Sequence, residues 1–203
     1  MIFVIAFILF AVLHSLLASR SFKKRVISAY PVMRFYYRFL YNLVALFTFA
    51  IVWFAAPVST AEIYTVPSPL SYVMHLVQIG ALTGLYYSVK VAGTGNFTGL
   101  NQLRHASQDK HPSYDLDEPK DEGFVVQGPF RYVRHPLYVF SMIVLILHPY
   151  MTIKWLLLTI LAGAYFIIGS KFEEQRLIDR FGEKYNEYKK DVPAFIPGSV
   201  IES

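Results

Sequence analysis

The sequence predicts an all-α, polytopic membrane protein of about five transmembrane helices. The last two form a helical hairpin, and a cytoplasmic amphipathic tail helix follows. Three observations predict this. The 203 residues are 55% hydrophobic, too apolar for an ordinary soluble domain. Apolar runs of near-spanning length recur along the chain. The Lys and Arg residues concentrate in alternate connecting segments, the asymmetry that orients a membrane protein.

The first run is 2–18, IFVIAFILFAVLHSLLA. No basic region precedes it, which argues against a signal peptide. Arg20, Lys23, Lys24 and Arg25 follow it, so the run reads as a retained helix with its N-terminus outside. A second run covers about 39–56 and stops at Pro57. The 57–69 segment holds Glu62 and no Lys or Arg, which places it outside. The third run, 70–92, carries Gly80 and Gly84, a small-xxx-small spacing that suits close helix contact. The polar 93–135 segment is predicted on the cytoplasmic side. Runs 136–148 and 152–171 then flank HPYMT, read as a tight turn. The first arm spans only about 20 Å at 1.5 Å per residue, so it starts early, tilts, or sits in a protein-lined region. The tail, 172–203, reads as an amphipathic helix ending near VPAFIPG. The C-terminus is then inside. The chain reads as one domain: three N-terminal spans over 1–92, a cytoplasmic loop over 93–135, and the hairpin and tail over 136–203.

Composition excludes several chemistries. There is no cysteine, hence no thiolate ligand, cysteine nucleophile or disulfide. The net charge of +5 fits juxtamembrane clusters facing anionic membrane lipids, and no nucleic-acid partner is expected. His105 and His111, with Asp109 nearby, lack a tight ligand spacing, so no metal is expected. Gly93, Gly95 and Gly99 in GTGNFTG lack the strand-to-helix context of a dinucleotide site and read as loop glycines.

The hairpin brings distant charges to one level. One open end carries Arg131, Tyr132, Arg134, His135 and Tyr138; the other carries Glu173, Glu174 and Arg176. Pro136 is a favoured first helical residue, and the helix N-terminus behind it suits an anion. Such a mouth fits a zwitterion with an aromatic base. S-adenosyl-L-methionine offers a carboxylate for His135, Arg or the helix end, and an ammonium and hydroxyls for Glu173 or Glu174. Its sulfonium and adenine suit aromatic faces such as Tyr132, Tyr138, Tyr185 or Tyr188. A phospholipid headgroup meets the same physical demands. Blander readings exist for each element: topology signals for the cations, an i,i+3 pair for Glu173 and Arg176, an interfacial belt for the tyrosines, and a hydrogen-bonded bundle residue for His14.

GPFRYVRHPLY together with FEEQRLIDRFGEKYNEYKKDVPAFIP resembles the C-terminal signature of integral membrane methyltransferases. That superfamily includes isoprenylcysteine carboxyl methyltransferases and phospholipid methyltransferases. LFAVLHSLLASRSFKKR, YRFLYNLVALF, GLNQLR and HPYMT resemble the NnrU and methanethiol S-methyltransferase branch.

The resemblance implies a cytoplasm-facing S-adenosyl-L-methionine site built from the last two spans and the tail. Tyr132, Arg134, His135, Pro136 and Tyr138 fall on or beside its Arg-His-Pro-x-Tyr element, Glu173 and Glu174 on its acidic pair, Tyr185 and Tyr188 on its tail aromatics. Carboxyl-methylating relatives carry an Arg where Ala194 and Phe195 stand here, which points away from a carboxylate acceptor. The expected activity is methylation of a small thiol such as methanethiol. A lipophilic acceptor, prenylcysteine carboxylate or phospholipid amine, is the alternative; so are a sterol-type reductase using a nicotinamide cofactor and a non-enzymatic membrane protein. Glu174 and His14 are the candidate bases for a thiol proton, which a thiol can also lose in part unaided.

Overall fold

The structure, a computed structural model, describes residues 2–55, 61–107 and 126–197. His111 and Asp109 therefore lie outside the described residues. Helices α1 (Ile2–Ala18), α2 (Arg20–Ala29), α3 (Met33–Ala55), α4 (Leu70–Val91), α5 (Thr94–Thr98), α6 (Leu100–Ser107), α7 (Pro136–Ile146), α8 (Ile153–Phe181) and α9 (Glu183–Asp191) follow one another along the chain. Strands β1 (Glu62–Thr65) and β2 (Tyr150–Thr152) and a short 3-10 helix, Gly128–Arg131, complete the described elements. They fall into two compact units. One holds α1–α3, α5 and α6; the other holds α4, α7–α9 and the two strands.

By length and composition, α3 and α8 can each cross a membrane, and α1 with α2 makes a third candidate broken by a 62° bend. These helices make the chain a membrane protein. Their side chains agree: Phe47 on α3 is 69% exposed and Phe54 83%, a surface that suits acyl chains rather than water. α7, at 11 residues, is a shorter apolar helix. Among the described residues two or three helices are thus candidate spans by length and composition, fewer than the five the hydropathy pattern predicts.

In the first unit α1 and α3 pair through Tyr41 and His14, whose hydroxyl and Nε2 are 2.7 Å apart, and through Tyr37, which donates to the Leu17 carbonyl at 2.6 Å. α3 begins six residues before the apolar run and so carries Arg34 and Arg38 on its first turns. Arg38 Nε donates to the Phe97 carbonyl at 3.2 Å, and Asn42 Nδ2 to the same carbonyl at 2.9 Å. Gly99 makes this close approach possible. Its φ is +86°, and a Cβ there would stand 2.6 Å from the Phe39 backbone nitrogen.

In the second unit α4 packs on α7. Gln78 Nε2 donates to the Val144 carbonyl at 2.9 Å. Gly84 lies under the Phe140 ring, where a Cβ would come within 2.6 Å; Gly80, its partner in the small-residue spacing, has nothing within 4 Å of such a Cβ. The HPYMT turn is not a simple reversal. Its last three residues form β2, which pairs antiparallel with β1 as Glu62↔Thr152, Tyr64↔Met151 and Thr65↔Tyr150, with an irregularity between Glu62 and Tyr64. Thr152 then caps α8, its Oγ1 accepting from the Trp155 amide at 3.2 Å. The Trp155 indole donates to the Leu145 carbonyl at 3.0 Å, satisfying a carbonyl at the C-terminal end of α7. α7 and α8 are thereby closed into a hairpin. α8 does not end with its apolar run. It continues as an amphipathic helix to Phe181, and the tail helix begins only after Gly182, whose φ is +60°.

Candidate active site

The open end of the hairpin is where the predicted residues meet. The chain enters it through a 3-10 turn, Gly128–Arg131. Gly128 has a φ of +54°, and a Cβ there would stand 2.9 Å from the Tyr87 ring. Beyond the turn the chain bends at Arg134. The amides of Arg134 and His135 donate to the carbonyls of Pro193 and Ala194, at 2.9 and 3.1 Å. The segment after α9 is thus laid along the entry to α7. Val192 is in the extended region, as the residue before a proline favours. Pro136 takes the first helical position of α7, with no side-chain cap from His135.

Three side chains converge on one carboxylate. Glu174 Oε1 accepts from Arg134 Nε at 2.8 Å and from His135 Nε2 at 3.0 Å; Arg134 Nη2 lies 2.7 Å away. Glu174 Oε2 is 3.0 Å from Lys189 Nζ. An ionised carboxylate only accepts, so His135 carries a proton on Nε2. Arg134 does a second task. Its Nη1 donates to the carbonyls of Lys189 and Val192, at 3.2 and 2.5 Å. A guanidinium there satisfies carbonyls at the C-terminal end of α9 and opposes the negative end of the helix dipole. The Glu174 side chain is 13% exposed and that of Arg134 11%, so these contacts are only weakly screened by water.

Glu173 behaves differently. Its Oε2 accepts from the Tyr138 hydroxyl at 2.9 Å and faces His135 Nδ1 at 3.5 Å. Its side chain is 39% exposed. The acidic pair therefore divides: Glu174 is enclosed by cations, while Glu173 lies at the edge of the cluster.

The aromatic residues are mostly structural. Tyr138 is stacked with His135 at 5.4 Å and with Phe166 at 4.7 Å, so its ring is engaged in packing. Tyr185 is 1% exposed; burial pushes its phenol well above the usual range. Tyr188 donates to the Phe130 carbonyl at 2.6 Å, tying α9 to the 3-10 turn. Tyr132 is 56% exposed and offers a ring to the outside. The N-terminus of α7 is also partly used, because the amides of Tyr138 and Val139 both turn back to the His135 carbonyl.

His14 lies in the other unit, paired with Tyr41. Arg134, His135, Pro136, Tyr138, Glu173, Glu174, Tyr185 and Tyr188 all lie in the second unit. Sequence reasoning missed Lys189 and the Pro193 and Ala194 carbonyls. Lys189 had a signal: it follows Tyr185 by four residues and so shares its helix face. Among the described residues no group of three His, Asp or Glu could hold a metal ion.

The model of the NnrU protein family matches residues 2–149. The chain belongs to the NnrU family. It is 28% identical over 194 residues to methanethiol S-methyltransferase of Pseudomonas deceptionensis, covering 93% of this chain and 69% of that protein. It is 29% identical over 193 residues to methanethiol S-methyltransferase 1 of Bradyrhizobium diazoefficiens, covering 93% of this chain and 64% of the relative. A methanethiol S-methyltransferase of Mycobacterium tuberculosis is 28% identical over 190 residues. This NnrU protein thus spans about two thirds of the length of the first two relatives. No solved structure matches it. The family match ends before α8, so Glu173, Glu174 and Lys189 lie beyond it, whereas the likeness to the three methyltransferases covers 93% of the chain.

Proposed function

We propose that this NnrU protein is a membrane methyltransferase that uses S-adenosyl-L-methionine to methylate a small thiol such as methanethiol. The observation that carries the reading is the similarity over 93% of the chain to proteins named for that reaction. The donor set at the hairpin mouth fits the cofactor. Glu173, held by Tyr138 through one oxygen and 39% exposed, keeps its other oxygen for an ammonium or ribose hydroxyls. Exposed Arg131 offers a cation to the ligand's carboxylate, and Tyr132 a ring face. Arg134, His135, Glu174 and Lys189 hold one another and so fix where Glu173 stands.

S-adenosyl-L-methionine supplies a methyl group activated on a sulfonium, and displacement by a thiolate gives a thioether and S-adenosylhomocysteine. The protein's part is to align the two and exclude water. Both oxygens of Glu174 are engaged, and His14 shares its Nε2 with Tyr41. The proposal accordingly leaves the thiol proton to solvent, since a thiol ionises in part near neutrality. The wall beside His135 is Phe195, 5.5 Å ring to ring. An apolar wall holds a small thiol without an unpaired charge, whereas a carboxylate acceptor would need a cation there.

In this reading α1, α3, α4, α7 and α8 are the five spans, with the N-terminus outside and the site facing the cytoplasm. Reporter fusions at Ser59 and Ser203 then fall on opposite sides. The activity test is purified protein with labelled S-adenosyl-L-methionine and three acceptors: methanethiol, a farnesylcysteine analogue and a phospholipid amine. Headspace gas chromatography showing a thioether as the dominant product supports the proposal. A dominant farnesylcysteine ester or methylated phospholipid overturns the acceptor, and tight binding of NADPH instead of S-adenosyl-L-methionine overturns the reaction class.

A further inference from the structure

α1 is an apolar rod. Ile5, Leu9, Val12 and Leu16 are all exposed along it, as acyl chains require of a helix in lipid. The rod ends where the cations begin. Ser19 stitches the junction: its Oγ donates to the Leu16 carbonyl at 2.7 Å and accepts from the Phe22 amide at 3.3 Å. The chain turns there by 62°. α2 leaves in the new direction with Arg20, Lys23, Lys24 and Arg25 in its first six residues. Phe22 and Val26, four apart on one helix face, are half-buried, while Lys24 and Arg25 are exposed. Tyr30, just past the helix, is exposed as well.

The unit that contains α2 has no Asp or Glu among its described residues. Arg38 settles on the Phe97 carbonyl and over the Tyr41 and Phe97 rings. A short helix bent off a lipid-facing rod, apolar on one side and cationic on the other, has the form of an in-plane interfacial helix. We propose that α2 binds the headgroups of anionic phospholipids through Lys24 and Arg25. The inference is independent of the methyltransferase reading, because neither residue belongs to the cluster around Glu174.

The test is native mass spectrometry of the full chain in detergent, incubated at low salt with equal amounts of phosphatidylglycerol and phosphatidylcholine. The expected result is preferential retention of phosphatidylglycerol. Each cation near a membrane surface contributes about fivefold in affinity, so Lys24→Gln with Arg25→Gln should remove most of the preference. Both side chains are exposed, so the substitutions leave packing intact. Lys184→Gln with Lys190→Gln, the same charge change on exposed residues of α9, should retain it. Three outcomes overturn the proposal. Wild type shows no preference; both double variants lose it equally, making it a net-charge effect; or a zero-length cross-linker joins Lys24 to the acidic stretch 109–122 while phosphatidylglycerol is not enriched, which assigns the cations to that segment.

Discussion

Arg134 and Glu174, 40 residues apart in the chain, meet through a single carboxylate oxygen, which lies 2.8 Å from Nε and 2.7 Å from Nη2. The third guanidinium nitrogen turns the other way, to the carbonyls at the end of α9. One planar side chain thus joins the hairpin to the tail, and its fork geometry is what allows both contacts at once.

Arg134→Lys keeps the charge and loses the fork. An ammonium can serve Glu174 or the α9 carbonyls, not both in the same geometry. The expected loss is about 1.5–3 kcal/mol, the worth of a charge-assisted hydrogen bond, read as a lower Tm in detergent. A Tm equal to wild type would show that charge alone suffices.

The two glutamates should separate binding from stability. Glu173→Gln is expected to weaken S-adenosyl-L-methionine binding roughly 10- to 150-fold, the loss of one charged contact, with little change in Tm. Glu174→Gln removes the acceptor shared by Arg134, His135 and Lys189, so Tm and binding should fall together. Isothermal titration beside thermal unfolding checks both. Indistinguishable behaviour of the two variants would mean the acidic pair is not divided as the geometry divides it.

Tyr188 gives a pH dependence. Burial pushes its phenol up to about 12, with Arg134 opposing and Glu174 adding to the rise. An unfolded tyrosine titrates near 10. Its contribution to stability is therefore full below pH 10 and is lost as pH rises from 10 towards 12, because the unfolded state sheds its proton first. Tyr188→Phe lacks this titration. It should be less stable than wild type at pH 8, by about 1 kcal/mol for the bond to Phe130, and the gap should narrow above pH 10. Denaturation at pH 8 and pH 11 measures it.

Gly99 and Gly93 both have positive φ, +86° and +92°, but only Gly99 abuts backbone; a Cβ on Gly93 meets nothing nearer than Asn96 Nδ2 at 3.8 Å. Left-handed strain alone is worth about 1–3 kcal/mol. Gly99→Ala should exceed Gly93→Ala by the collision with Phe39. Equal losses by thermal unfolding would show that α5 and α6 yield without resistance.

Parts of this architecture were legible in the sequence and parts were not. The meeting of Arg134 and His135 with Glu173 and Glu174 follows from two apolar runs joined by a short connection, because a hairpin brings its open ends to one level. Helix past residue 171 was expected as a separate tail; its continuity with α8 was hidden by hydropathy. KFEEQRLIDRF consists largely of good helix formers, so the helix carries on until Gly182. Pairing between β1 and β2 was hidden too, since each is a few residues long and their partners are some ninety residues apart in sequence. The backbone bonds from Arg134 and His135 to Pro193 and Ala194 leave no side-chain pattern at all. The tyrosines matched an aromatic cage in type, but in the structure they are mostly packing and tethers. Residue type alone does not tell a ring face that is open from one already stacked.

The tail's contacts also set an order of assembly. The carbonyls that Arg134 binds lie 55 and 58 residues further along the chain. At about 5–20 residues per second of synthesis, Arg134 is made on the order of 3–12 s before its last partner. During that interval α7, β2, α8 and Glu174 itself are translated, and the two carbonyl ligands come last. The apolar helices α7 and α8 are both made before the last turn of α9 arrives to close the cluster. A chain released before Val192 would leave Arg134 without that carbonyl and the entry to α7 without the strap that Pro193 and Ala194 supply.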